Sequence, residues 1–393
     1  MPCSDGCTNE MASDFERRRF IKAASAAGLI GLAGCSGGPS DGGDGSDGDD
    51  GMDGSDGEDG SDGSDGGDGS DSPPARVGIV YSDGGLGDNS FNDAAKQGIV
   101  DAEEEFGIEY AESEPDGTGE FGQYQQRYAS STDPNYDLVS CIGFNQGDAL
   151  TETASQFPDQ DFMIVDTVVD SPNVANYLFR EEEGSFLMGV LAGRLTETDF
   201  SAGGGSTAPD STNVGFIGGV DSPVIRRFQA GFEAGVDYAS DDVDVSTSYV
   251  GSYSDPTAGQ EQALSMYQSG ADIVYHAAGA TGVGVFQAAQ SEGRFAFGVD
   301  QDQSVTEDSF ADVILASMVK RVDTAVYESI SNVVDDDHQG GSTTALGLES
   351  NGVECVYGQE IGDQVPDEIV TAVSDARDEI IAGNIDVPDT TSN

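Results

Sequence analysis

Short apolar runs that alternate with amphipathic stretches constrain this chain more than any other feature. From Arg76 onward, "RVGIVY" (76–81), "YDLVSCIGF" (136–144) and "DFMIVDTVV" (161–169) read as buried strands. "NVGFIGGV" (213–220), "VDVSTSYVG" (243–251), "DIVYHAAG" (272–279) and "RFAFGVD" (294–300) read the same way. Helical patterns fit between them. In "SFNDAAKQGIVDAEEEFG" the residues Phe91, Ala95, Ile99, Ala102 and Phe106 fall at the spacing of one helix face. Ser90 and Asp93 predict a capping-box start for that helix. Continuous apolar strands alternating with helices predict an α/β fold with parallel sheets covered on both faces.

The strands suffice for two sheets, and the halves echo each other. "VGIVYSDGGLGDNSFNDAAKQG" opens one half and "VGFIGGVDSPVIRRFQAGFEAG" the other, each a strand, a Gly/Asp loop and a helix with an early Phe. Open α/β sheets bind ligands beyond the carboxyl ends of their strands. Two doubly wound lobes facing each other would enclose one ligand and close about a hinge. The expected lobes are 76–180 with 302–335, and 181–301 with 336–393, with chain crossings near 180, 301 and 336.

Charge narrows the partners. The chain of 393 residues carries 74 Asp+Glu against 15 Lys+Arg, a formal net charge of -59. Such a field repels phosphate at long range and argues against a nucleic-acid partner. It also repels itself, unless molar salt shortens the Debye length to about 3 Å. The excess of carboxylates therefore predicts a halophilic protein.

Residues 1–34 read as a targeting segment rather than as part of the fold. "ERRRFIKAASAAGLIGLAGC" joins an arginine cluster to a short apolar stretch and small residues before Cys35. It resembles a twin-arginine export signal (Arg17, Arg18, Phe20) followed by a lipobox (Leu32-Ala33-Gly34-Cys35). Cleavage would leave Cys35 as a lipid-bearing N-terminus on the extracytoplasmic face of the cell membrane. Residues 35–75 then form a tether: from 36 to 75 there are 13 acidic and no basic residues. A flexible coil of this length spans about 35 Å root-mean-square.

The loop "YSDGGLGDNSFND" (81–93) has the shape of a phosphate-binding turn, yet it carries carboxylates and no cation. An ionised carboxylate only accepts hydrogen bonds. Asp83, Asp88, Asp166 and Asp300, all at strand ends, therefore suit sugar hydroxyls and base N–H groups. Asn92 can both donate and accept. Phe91 and Phe228 could stack on a flat ring, and "AAGATGVGVF" (277–286) could offer backbone N–H groups. Lys320, a scarce cation that reads as starting a helix, could meet a ribose oxygen or balance Asp300. Each has a structural alternative: core packing for Phe91, helix capping for Asp88 and Asp93, a salt bridge for Lys320. No cofactor motif or metal-ligand spacing is present, and Cys141 and Cys355 do not indicate a disulfide framework.

Several segments together resemble the basic membrane protein (BMP) family of ABC-transporter substrate-binding lipoproteins. They are "GGLGDNSFNDAAKQG", "FREEEGSFLMGVLAG", "VGFIGGVDSPVIRRFQAGFEAGV", "AAGATGVGVFQAA", "FGVDQDQ" and "SMVKRVDTAVYE". The resemblance implies a type I periplasmic-binding-protein fold, a purine nucleoside ligand, and permease and ATPase subunits as partners. It implies base stacking by Phe91 and Phe228 and base reading by Asn92 and Asp166. It assigns the ribose to Asp83, Asp300 and Lys320, with a backbone contact at Gly279. "AAGATG" departs from the family where Ala280 stands in place of a frequent Gly.

Two rivals remain at this point. A dehydrogenase needs a third glycine that "GGLGDN" lacks, and a hydrolase triad needs a histidine near a nucleophile elbow. His276 and His338 are the only histidines, and neither has one. Carboxylate-only hydrolysis of a nucleoside or sugar by an extracellular enzyme stays open, since acids are everywhere in the chain, but no catalytic residue is expected. The other rival is a tethered sensor for a signalling partner.

Overall fold

The computed structural model describes residues 72–208 and 211–391. The signal, Cys35 and the tether up to residue 71 lie outside them. The first stretch of chain contains β1 (Arg76–Val80), α1 (Phe91–Phe106), β2 (Glu109–Ser113) and α2 (Phe121–Ala129). β3 (Leu138–Cys141), α3 (Gly147–Gln156), β4 (Asp161–Val165) and β5 (Val174–Phe179) follow. Next come α4 (Glu181–Thr196), a small hairpin of β6 (Ser201–Ala202) and β7 (Gly205–Ser206), β8 (Asn213–Gly218) and α5 (Pro223–Ala239). β9 (Asp244–Tyr249), α6 (Pro256–Gln268), β10 (Ala271–Ala277), α7 (Gly282–Glu292), β11 (Phe295–Asp300) and the single-turn α8 (Gln303–Thr306) continue the pattern. β12 (Ile314–Lys320), α9 (Val322–Val334), β13 (Thr343–Leu346), β14 (Val353–Tyr357) and α10 (Asp367–Ile381) complete it.

These strands form two six-stranded sheets of matching order, β13-β5-β4-β3-β1-β2 and β14-β12-β11-β10-β8-β9. All neighbours in the first are parallel. In the second, the edge strand β14 runs antiparallel to β12, from Ala316↔Tyr357 to Lys320↔Val353. The expectation of wholly parallel sheets is corrected there. The chain returns from the first lobe after β13 and enters β14 beside Lys320, at the carboxyl end of β12, so β14 runs back along it.

Strand pairing also decides where the chain passes between lobes. It crosses at Arg180, between β5 and α4, at Arg321, between β12 and α9, and between Leu346 and Val353. The expected second and third crossings at 301 and 336 are corrected to these positions. Residues 302–320 stay with the second lobe because β12 pairs with β11. Residues 336–346 stay with the first because β13 pairs with β5.

The second lobe's core is built on aromatic contacts. Tyr275 stands edge-on to Phe216 at 5.6 Å, with Phe232 at 5.3 Å and Phe297 at 6.3 Å between ring centroids. Helices α4 and α5 meet backbone to backbone. A Cβ on Gly235 would lie 2.1 Å from the Phe186 carbonyl oxygen, and one on Gly189 would lie 2.2 Å from that of Phe232. Only glycine permits that approach. In the first lobe, Ala95, Ile99 and Ala102 of α1 are fully buried, as the stripe predicted.

Candidate functional site

The carboxyl ends of both sheets converge on a narrow cleft with about 60 Å³ of free space. Ser82, Gly84, Asp88, Phe91, Asn92 and Asp166 line it from the first lobe. Val224, Ile225, Phe228, Tyr253, Gly279 and Asp300 line it from the second, and Lys320 lines it from the second crossing.

The glycine-rich loop holds itself in shape with the polar groups expected to read a ligand. Asp88 takes the N–H groups of Ser90 at 3.0 Å, Asn92 at 3.0 Å and Asp93 at 3.2 Å. It therefore caps α1, its structural alternative, from just outside the helix. Burial pushes this carboxyl above its ordinary range, and those N–H groups oppose the rise. The Asn92 side chain accepts from Ser82 N–H at 2.9 Å and donates to Asp88 at 3.1 Å. One amide hydrogen of Asn92 stays uncommitted. The predicted capping box does not form, because Asp88 takes the Ser90 N–H in place of Asp93. Asp93 reaches back to the N–H groups of Gly87 and Asn89 at 2.9 and 2.8 Å, while the Ser90 hydroxyl leaves the helix end and donates to Asp300.

Asp83 is corrected. It is exposed, does not line the cleft, and accepts from Asn145 at 2.6 Å. Adjacent loop residues have alternate exposures, so Ser82 and Gly84 face the cleft instead.

Asp166 and Asp300 occupy matching places, just after β4 and at the end of β11, both with left-handed backbone at φ +70° and +65°. Asp is among the few non-glycine residues that accept this conformation. Burial pushes Asp300 up to about 7, against the pull of Lys320 and the Ser90 hydroxyl. Burial likewise pushes Asp166 up to about 6 while Lys320 holds it down.

Lys320 does not start a helix; it ends β12. Its Nζ lies 2.7 Å from the Asp166 carboxylate and 3.0 Å from that of Glu181. It also stands over three aromatic rings: Phe179 at 5.0 Å, Phe91 at 5.1 Å and Phe228 at 5.7 Å from Nζ to centroid. Burial alone would pull its pKa down, yet Asp166, Glu181 and Asp300 together raise it. Lys320 is therefore a fixed cation, and its partners neutralise it.

Glu181 and Glu183, at the start of α4, tie the crossings together. Glu181 bridges Lys320 and Arg227, the latter at 3.4 Å. Glu183 takes Arg180 at 2.9 Å and the Leu348 N–H at 2.8 Å. Across the cleft, the lobes meet where Asn89 and Ser90 touch the segment after β11. Gln301 donates to the Ser90 carbonyl at 2.9 Å, Gln303 to the Asn89 carbonyl at 3.1 Å, and Asn89 to Glu307 at 2.9 Å.

Residues 75–391 match the family described as ABC transporter substrate-binding protein PnrA-like, or Bmp. The chain belongs to this family. Bmp proteins are substrate-binding proteins, not enzymes. This Bmp chain is 34% identical over 333 residues to the CD4+ T-cell-stimulating antigen of Listeria monocytogenes, covering 80% of the chain and 88% of that relative. It is 32% identical over 335 residues to the ABC transporter nucleoside-binding protein BmpA of Lactococcus lactis, covering 80% and 89%. It is also similar to an ABC transporter solute-binding protein structure from Aeropyrum pernix, with a TM-score of 0.70 and 27% identity over 80% and 94% of the two chains.

The Bmp cleft thus brings together Asp88, Phe91, Asn92, Asp166, Phe228, Gly279, Asp300 and Lys320, and leaves Asp83 outside. Sequence reasoning missed Val224, Ile225, Tyr253 and the buried Glu181. The "REEEG" run was itself a signal for Glu181, since consecutive acids at a helix start favour its positive end.

Proposed function

We propose that this protein is a lipid-anchored receptor that captures a purine nucleoside between its lobes and hands it to the membrane subunits of an ABC importer. The lining carries the reading: apolar walls from Phe91, Phe228, Val224 and Ile225, buried carboxylates at Asp166 and Asp300, and a cation already neutralised by its own partners. Such a cleft suits a neutral ligand with a flat ring and several hydroxyls. A phosphate would meet Asp300 and Asp166 charge to charge, and a desolvated like-charge contact costs several kcal/mol. The nucleoside-binding name of the Lactococcus lactis relative supports the same ligand class.

In this reading Phe91 and Phe228 hold the base between them, and Asp166 with the free amide hydrogen of Asn92 reads its edge. Asp300 accepts from the ribose hydroxyls, Lys320 faces a ribose oxygen, and Gly279 offers a backbone contact. Cys35 carries the lipid after twin-arginine export, and the acidic body folds in molar salt. Calorimetry in molar salt with adenosine, guanosine and inosine against free bases, nucleotides and sugars tests the ligand. Nucleosides should bind most tightly, and Asp300→Ala should weaken nucleosides but barely change free bases. Nucleotides binding as well as nucleosides would overturn the reading. For the anchor, Arg17→Lys with Arg18→Lys should block export, and Cys35→Ser should release the protein from the membrane; normal export of the double variant refutes the signal.

A further inference from the structure

Tyr253 has no part in the scheme above, yet it is built into the cleft. It sits in the loop between β9 and α6, and its carbonyl accepts the Thr281 N–H at 3.1 Å. Its ring lies flat against the end of β8: a Cβ on Gly219 would stand 2.5 Å from both Cδ1 and Cε1. The residue also approaches the opposite lobe, since a Cβ on Gly84 would lie 3.9 Å from that of Tyr253. The ring is therefore held against Gly219, and the residue's Cβ faces the glycine-rich loop across the cleft.

The hydroxyl at its tip is buried and makes no hydrogen bond of ordinary geometry, although the Ser222 hydroxyl lies near enough to act on it. Ser222 is its polar neighbour, and the Ser222 hydroxyl oxygen accepts from the Ile225 N–H at 3.3 Å, capping α5. Of the two hydroxyl groups that line the cleft, that of Ser82 bonds to Asp83 at 3.1 Å and that of Tyr253 is unpaired. Buried polar atoms in folded proteins nearly always have a partner, and Tyr253 is one of the residues that line the ligand cleft.

We propose that Tyr253 donates a hydrogen bond to an acceptor atom on the edge of the heterocycle and so sets which heterocycles the cleft accepts. The inference rests on the nucleoside reading. When ionised, Asp166 and Asp300 only accept, so they recognise N–H and O–H groups and leave unprotonated ring nitrogens and carbonyl oxygens unanswered. Lys320 is held by Asp166 and Glu181. The Tyr253 O–H supplies a second neutral donor, in addition to the Asn92 amide and from the other lobe, held against Gly219.

The test is calorimetry in molar salt on the full exported chain and on Tyr253→Phe. The probes are inosine, 3-deazainosine and 7-deazainosine, which lack N3 and N7, and purine riboside, which lacks O6 and also exchanges the N1–H donor for an acceptor. Tyr253→Phe should unfold at the parent's temperature and bind inosine about 5–30-fold more weakly, the loss expected for one buried hydrogen bond. One analogue should bind the parent about as weakly and lose nothing further in Tyr253→Phe. Unchanged inosine affinity in Tyr253→Phe overturns the proposal while the nucleoside reading stands. So does an equal loss on all three analogues. If the parent binds no nucleoside, the nucleoside reading falls and this proposal falls with it.

Discussion

Replacing Lys320 by Met tests whether one buried cation organises the site. Methionine keeps the length of the side chain and suits the aromatic faces of Phe91, Phe179 and Phe228, so the change removes the ammonium group with little loss of packing. Lys320 is the only buried lysine or arginine among the described residues. Its two carboxylate partners, at 2.7 and 3.0 Å, have side chains 4% and 0% exposed. Taking one partner out of a buried ion pair strands a charge and costs about 3–5 kcal/mol. A loss of that size lowers the melting temperature of a domain this large by roughly 10 °C.

The loss should depend on pH, and the sign follows from Asp166. Its folded value of about 6 lies above its ordinary 3.8. Below about pH 4 the carboxyl is protonated in both the folded and the unfolded chain and contributes nothing. Through the window from about 4 to about 6 the unfolded chain releases its proton first, so stability falls as pH rises; above that the penalty is constant. Without Lys320 the folded value moves higher and the window extends upward. The gap between parent and Lys320→Met should therefore widen from about pH 5 to about pH 8, measured by circular dichroism melts in molar salt. Adding Asp166→Asn should recover part of the loss, because no stranded charge then remains at that position. A variant that melts with the parent, or a gap that does not change with pH, refutes the reasoning.

Other changes probe the frame. Gly235→Ala drives a methyl to 2.1 Å from the Phe186 carbonyl oxygen and should destabilise the second lobe by about 1–3 kcal/mol, read as a lower melting temperature; an unchanged melt would mean that α4 and α5 have slack. Asn89→Ala with Gln301→Ala removes contacts between the lobes at 2.9 Å and should enlarge the radius of gyration in small-angle scattering, most clearly without ligand. Lowering salt from molar to physiological strength, where screening reaches about 8 Å, should unfold the body cooperatively; a flat circular dichroism titration would remove the halophilic reading and leave the fold untouched.

Strands with continuous apolar runs were legible in the sequence because burial on both faces writes them locally. β1, β3, β4, β8, β9 and β11 fall inside the predicted runs, and β10 starts one residue before its run. β2, "EYAES", is an edge strand with charged residues and carries no such run. β12, "ILASMVK", merges with the helix pattern that follows it, which moved Lys320 from a strand end to a helix start. The crossings were displaced for a related reason: they depend on which strand pairs with β11 and β5, and pairing over long separations leaves no local mark. The site was legible as a set of residue types at strand ends but not as a division of labour. Asp88 and much of Asn92 serve the backbone of their own loop, since buried N–H groups must find acceptors before any ligand can. Tyr253 sits in a polar loop of Gly, Ser and Asp, where nothing marks a buried ring.

The pairing of lobes explains why Asp166 and Asp300 differ in role despite equivalent places. β4 and β11 hold the same position in the two sheet orders, and each leads into an aspartate with left-handed backbone. Gly143 and Gly279 likewise follow β3 and β10 with positive φ, +108° and +54°, before the turns that open α3 and α7. The likeness breaks one strand further on. β5 ends in Phe179, whereas its counterpart β12 ends in Lys320, and the lysine ammonium stands 5.0 Å from that ring. One cation thus serves two symmetry-related acids, and it lies in contact with only one of them. Asp166 is held by a buried ion pair whose disruption costs several kcal/mol. Asp300 is held by the Ser90 hydroxyl, a neutral group whose bond a ligand hydroxyl can replace like for like. In the proposed reading, Asp166 keeps its ion pair while it meets the base, and Asp300 is the carboxylate that exchanges its partner for a ligand hydroxyl.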